Sequence, residues 1–398
     1  MRRLPPEWSY ALKWGAVAWL SSRVGMVIAT YFAVLLPKQD SAMLTPNPID
    51  TFVQAWMKWD AGWYVEIASK GYDRIASTAF FPLYPALTHG LYTLLPFLSP
   101  LVAALLISNL ALLAALVLLV RLADREFGDH PARRAAFLMV AYPGAFFFSS
   151  AYPEGLLLAL ILASFMAARS RHWLAAGAAA AAATLTAAPG AVLGFPLLIE
   201  YIRNLPRSRT DLKTRGFRWD DLRALGMLLM IPLALVAFGL YLRAITGNGL
   251  QIITAQHDYF QRQFGFLWGI PLGLSRLYHL PLSSFAGARN LLDVVPIFLA
   301  AVVLLLAIRL LPLSYSVFVA ILLVLNLSEP RVDTRLSPGQ NLWPLQSDLR
   351  QILVMFPLFM ALGVWAGRWP SLQSVLVYSW LPLQGILVLQ YLHGFWII

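Results

Sequence analysis

The chain has no cysteine. That excludes disulfides, thiolate metal sites and a cysteine nucleophile, and it leaves the redox compartment open. Charge is scarce. Asp, Glu, Lys and Arg make up 12% of the 398 residues, where a soluble domain carries about 25%. No GxxxxGK loop, no GxGxxG and no Asp-x-Asp occurs, so nucleotide chemistry has no recognisable seat. The six histidines are scattered without zinc spacing, and no metal or cofactor is expected. No cleavage site follows the first apolar run, about Tyr10 to Leu36, which is too long for a leader core.

What the chain has in excess is apolar surface, 59% of its residues. The apolar residues fall in runs near the ~20 needed to cross ~30 Å of hydrocarbon. The expectation is an all-α polytopic membrane protein, one integral domain over 1–398. Eleven spans are read, at roughly 10–36, 98–120, 134–150, 153–169, 172–187, 189–203, 223–246, 290–309, 312–327, 349–367 and 372–391. With a cytoplasmic N-terminus, every short basic loop then falls inside: Arg121 to Arg134, Arg169 and Arg171, the cluster about 204–222, Arg309 and Arg368. This patterning accounts for the net charge of +11 without nucleic acid, because the basic residues form no single stripe. The expected location is the cell membrane.

The long loops, about 37–97, 247–289 and 328–348, go to the extracytoplasmic side and carry most remaining carboxylates. In the first, residues 49–69 have apolar positions at helical spacing and read as an amphipathic helix in the interface. The alanine run from Ala175 to Ala183 reads as a small-residue packing face. Asp293 and Arg23 lie inside apolar runs; such charges are functional or paired, and these two are candidates to neutralise each other.

Several side chains can carry chemistry. Asp60, between Trp59 and Trp63, is a carboxylate at the membrane surface, suited to taking a proton from a hydroxyl or, more blandly, to capping a helix. Tyr64, Phe81 and Tyr84 stand in the adjoining aromatic stretch, which can wall a pocket or anchor a loop in headgroups. Glu154 follows Tyr152-Pro153 at an outer turn, where it can bind sugar hydroxyls or cap a helix. Gln256 sits in a polar cluster with Gln261, Arg262 and Gln263 that can grip hydroxyls or a phosphate, or be ordinary loop. Arg350, with Arg331 and Arg335 as weaker candidates, can hold a phosphate at the lipid boundary or serve as an interfacial anchor.

These residues resemble the PIG-V family, the second mannosyltransferase of GPI-anchor synthesis, and its prokaryotic relatives. The first block is Trp59-Asp60, Tyr64, Ile67-Ala68, Gly71-Tyr72 and Ala79 to Pro85. The stretch Pro143 to Ser149 with Tyr152 and Glu154 is similar to a second block, with Pro153 and Gly155 where the family has serines. Tyr241-Leu242 to Gly249 and Gln256 resemble a third, though Asn248-Gly249 departs from its Asp-Pro. Arg350 to Phe359 resembles a fourth. The resemblance implies a GT-C glycosyltransferase using a polyprenyl-phosphate sugar, with the base at Asp60 and a lipid-linked or glycan acceptor. A GPI acceptor is not implied. A transporter or lipid flippase is the rival; it accounts for the spans, Asp293 and Arg23 but not for polar, aromatic-rich loops concentrated on one face, and an inactive scaffold subunit of a glycan complex is a third possibility.

Overall fold

The computed structural model describes residues 5–35, 48–205, 219–332, 344–345 and 347–395. Among them every regular element is helical, apart from one isolated bridge between Arg262 and Arg331. In chain order the helices are α1 (Pro6–Leu35), α2 (Pro48–Gln54), α3 (Asp60–Lys70), α4 (Leu83–Leu94), α5 (Pro100–Phe127), α6 (Asp129–Ala141), α7 (Glu154–Arg169), α8 (Trp173–Thr184) and α9 (Gly194–Arg203). There follow α10 (Trp219–Thr246), α11 (Gln251–Asp258), α12 (Gly269–His279), α13 (Phe285–Ala307), α14 (Leu313–Ser328), α15 (Asp348–Gln351), α16 (Phe356–Arg368) and α17 (Pro370–Leu392).

Five of these, α1, α5, α10, α13 and α17, are long and apolar enough to cross a membrane. Two bent pairs bring the number to seven if each is one span: Pro143–Ser149 with α7, turned by 98°, and Asp348–Val354 with α16, turned by 78°. All eleven expected segments contain helix, but α6, α8, α9 and α14 run only 13, 12, 10 and 16 residues. Length and composition among the described residues therefore give five to seven candidate crossings and do not confirm the count of eleven. Proline is the physical reason at several breaks: Pro143 and Pro153 in the first pair and Pro357 in the second each remove a donor and restrict the residue before them.

The amphipathic helix expected over 49–69 is two helices, α2 and α3. They are separated at Trp59, whose φ of 55° no helix residue adopts. The break frees Asp60 to open α3 as its first residue, where helix dipole and unpaired amides favour a carboxylate.

The core runs through α5, α7, α8, α10 and α16. Along α8, Ala176, Gly177, Ala180 and Ala183 are buried against α7 and α10. A Cβ on Gly177 would stand 2.6 Å from the Met227 Cα, so the two backbones meet closely only because the residue is small. Gly190 is tighter still. A Cβ there would lie 2.1 Å from the Ala183 carbonyl carbon, so Gly190→Ala must displace the α8 terminus. We expect a loss of about 1–3 kcal/mol, the usual cost of overpacking, read as a lower thermal midpoint in detergent.

The basic helix ends gather at one end of the bundle. Arg169 at the close of α7 meets Glu126 of α5 at 2.9 Å and Glu200 of α9 at 3.1 Å. Ser314 at the start of α14 donates to Glu200, and Arg125 donates to the Arg169 carbonyl at 2.8 Å. The expected pairing of Arg23 with Asp293 is not found. Arg23 donates to Asn109 Oδ1 at 2.5 Å, whereas Asp293 lies one turn after Arg289 where α13 packs on α15.

Candidate active site

The opposite end of the bundle holds a cavity of about 1060 Å³. At its wall three charged side chains from distant parts of the chain converge. Arg350 Nη1 lies 2.8 Å from Asp60 Oδ2, and its Nε lies 3.2 Å from Glu154 Oε1. The guanidinium bridges two carboxylates, and the trio carries a net charge of −1. All three are largely buried, at 17% exposure for Arg350, 24% for Asp60 and 11% for Glu154. Charges this sheltered persist because they are paired.

Each member is placed by a break in helix. Asp60 opens α3 after the left-handed Trp59. Glu154 opens α7 after the bend at Pro153. Arg350 rides on the single turn of α15, which follows Ser347 at φ 78°. Two tyrosines steady the Trp59 turn. The Tyr152 hydroxyl accepts the Asp60 backbone N–H at 3.1 Å, and it donates to the Lys58 carbonyl at 3.4 Å. Tyr391 reaches the Trp56 and Lys58 carbonyls, each at 3.4 Å. The rings of Phe147 and Tyr152 lie beneath Arg350, with its Cζ 5.8 and 5.3 Å from their centroids.

Aromatic rings form the adjoining wall. Trp63 stacks on Phe80 at 5.8 Å, and Phe260 closes on Phe80 at 5.5 Å. Tyr64 packs edge-on to Phe80 at 5.1 Å. Burial, with the Glu154 and Asp60 charges adding, pushes the Tyr64 phenol well above its ordinary value, so it stays neutral.

At the same cavity, residues 261–263 pair with 328–332. Gln263 donates to the Pro330 carbonyl at 3.1 Å, and Val332 donates to the Gln261 carbonyl at 2.8 Å. This bridge sets Arg262 directly opposite Arg331, and both line the cavity. Like charges directly opposite repel, so the pair is suited to an anion. Arg331 also donates to Gln261 Oε1 from Nε at 3.2 Å and from Nη2 at 3.1 Å.

Of the residues expected from sequence, Trp59, Asp60, Trp63, Tyr64, Phe81, Glu154, Gln256, Arg331 and Arg350 line this one cavity. Gln256 donates to the Ala79 carbonyl at 3.0 Å, tying α11 to the aromatic wall. Tyr84 is different. It is fully buried behind Tyr64, and its hydroxyl bonds Ala104 and Ser108 within the bundle, so it supports the wall and is not among the cavity's lining. Arg335 lies outside the described residues. Arg262 belonged to the polar cluster read from the sequence as able to grip hydroxyls or a phosphate or to be ordinary loop, and its pairing with Arg331 is what the structure adds.

Residues 27–209 match the family model described as mannosyltransferase (PIG-V). Over these residues the chain is PIG-V-like. The match covers Asp60 and Glu154, whereas the blocks near Tyr241 and Arg350 lie beyond it. No curated protein matches the chain. Among solved structures, ArnT from Cupriavidus metallidurans bound to undecaprenyl phosphate is similar at 19% identity and a TM-score of 0.45. That match covers 81% of this chain and 58% of the ArnT chain, so the chain spans under two thirds of that protein's length.

Proposed function

We propose that the protein is an integral membrane glycosyltransferase of the GT-C type. It moves a hexose, mannose by its family likeness, from a polyprenyl-phosphate donor to a hydroxyl of a lipid-linked or glycan acceptor. The work is done on the extracytoplasmic face of the cell membrane. The observation that carries this reading is the cavity's two poles. Asp60, Glu154 and Arg350 form one, and the opposed Arg262 and Arg331 form the other. A volume of about 1060 Å³ is enough for a sugar and its acceptor hydroxyl together.

In this mechanism the Asp60 carboxylate takes the acceptor hydroxyl's proton. The acceptor oxygen forms its bond to the anomeric carbon as the carbon–oxygen bond to phosphate breaks. The polyprenyl phosphate leaves with that electron pair, and attack from the face opposite the phosphate inverts configuration. Arg262 and Arg331 meet the growing negative charge on the phosphate; a fixed donor of this kind contributes about 3–4 kcal/mol to the barrier. Arg350 orients Asp60 and Glu154, and Glu154, Gln256 and the ring of Trp63 border the sugar.

The test is transfer itself. Purified protein in detergent, given a labelled polyprenyl-phosphate mannose and an alcohol acceptor, should release polyprenyl phosphate and form a glycoside without any ion gradient. Intact donor in detergent, with translocation of that donor by the same protein in liposomes, would leave a transporter as the better reading. With arginines serving the phosphate, saturating EDTA should leave turnover unchanged; loss of activity restored by a divalent cation would overturn that part of the scheme.

A further inference from the structure

Two deeply sheltered carboxylates take no part in the mechanism above. Asp293 of α13 is 1% exposed, and Asp348, the first residue of α15, is 3% exposed. They bear on one another where α13 packs on α15. Arg289, one turn before Asp293 on the same helix, is the cation that faces Asp293, and Arg262 of the anion pole is the cation that faces Asp348. Like charges held together inside a membrane protein are costly, and they mark a place where the fold gains something in return.

Beside these acids stands the turn that launches Arg350. Ser347 precedes α15 at φ 78° and ψ 13°, a left-handed conformation that a serine adopts only under constraint. Its carbonyl accepts the backbone N–H of Arg350 and of Gln351, each at 3.0 Å. The turn therefore sets the direction of all four residues of α15. A helix of one turn has too few internal bonds to hold itself, so its bearing comes from what surrounds it.

Two contacts supply that bearing from outside the reaction cavity. On one side the backbone abuts the segment after α6: a Cβ on Gly144 would stand 2.7 Å from the Leu349 carbonyl oxygen. On the other, the Ser347 backbone N–H faces the Asp293 carboxylate. A carboxylate aimed at an amide holds it more strongly than a neutral acceptor does. Ser347 itself lines the reaction cavity, so the turn lies between Asp293 and the reacting groups.

We propose that Asp293 is a positioning residue for sugar transfer: its carboxylate pins the left-handed turn at Ser347, and that turn aims Arg350 at Asp60 and Glu154. The inference rests on the glycosyltransferase reading for the reaction that it serves. Asp348 faces Arg262 from the same seam, so both poles of the cavity are braced by the contact of α13 with α15.

Asp293→Ala removes the acceptor, whereas Asp293→Asn keeps an oxygen in its place. With labelled polyprenyl-phosphate mannose, Asp293→Ala should lose about 10²-fold in kcat, the cost of misplacing a reacting group by ~1 Å, with donor KM unchanged. Asp293→Asn should lose far less. Glycine takes a positive φ freely, so Ser347→Gly added to Asp293→Ala should recover most of the lost rate. A charge that served the fold alone, through Arg289, would not be repaired in this way. Unchanged kcat in Asp293→Ala, a rise in donor KM instead, or no recovery with glycine would overturn the proposal. Ser347→Val strikes the same turn with Asp293 intact, since a β-branched residue resists φ > 0. It should cost as much in kcat, and normal turnover there overturns the proposal even where Asp293→Ala does not fold. Thermal midpoints give a reading without turnover. Arg350→Ala should lower the midpoint by much less in the Asp293→Ala background than in wild type, because the bridge is already slack, and equal decrements count against the pin. Coupled midpoints in a protein that transfers no sugar would sink the glycosyltransferase reading and leave the contact standing.

Discussion

Asp60→Asn should lower the rate of sugar transfer by about 10²- to 10⁴-fold, the usual contribution of a positioned general base. The amide keeps the shape of the carboxylate and the helix-opening position on α3. It cannot take a proton from the acceptor. Membrane insertion and binding of polyprenyl phosphate should be unchanged, because the proposed anion pole is Arg262 and Arg331 and not Asp60. Rates measured with labelled donor at saturating acceptor would decide it. Turnover within threefold of wild type would remove Asp60 from the base role and turn attention to Glu154, which shares the same guanidinium.

Arg350→Ala should damage both fold and activity. Its removal leaves Asp60 and Glu154 as two sheltered carboxylates that have lost their counter-charge. Breaking a buried pair from one side costs about 3–5 kcal/mol, and the lower end applies where the wall is open to a cavity. A reduced thermal midpoint and a loss of transfer are expected together. Arg350→Lys separates the two effects. It restores a positive charge and part of the stability, but an ammonium lacks the planar fork that reaches both acids at 2.8 and 3.2 Å, so activity should stay low. A wild-type midpoint in Arg350→Ala would show that the bridge does not hold this wall together.

The membrane character was plain in the sequence because hydrocarbon demands long apolar runs, and no fine detail is needed to see them. The number of crossings was less legible. Periodicity cannot separate one bent helix pair from two spans, and the bends at Pro153 and near Met355 fall inside continuous apolar stretches. Likewise, the helical spacing through 49–69 gave no sign that Trp59 would take a positive φ, and the hydrogen bonds that flank this turn come from Tyr152 and Tyr391, far away in sequence.

The site was legible as single residues but not as contacts. Asp60, Glu154 and Arg350 each stood out as charges beside apolar segments, yet 290 positions separate the first from the last, and nothing local says that they touch. Tyr84 failed for the opposite reason. Its neighbours in sequence line the cavity, but on a helix it turns inward to Ser108. Arg262 was legible as part of a polar cluster, but its pairing with Arg331 was not, because a pairing between loops leaves no periodic trace.

The two bent helix pairs have one more consequence. Glu154 begins the segment after one bend and Arg350 sits just before the other, and their contact means both interruptions occur at the same level. Unwound backbone of this kind survives inside a bilayer only where protein or water, and not lipid, surrounds it. On the proposed reading, protein and the cavity therefore replace lipid around both interruptions, and the bundle presents a polar opening at that level.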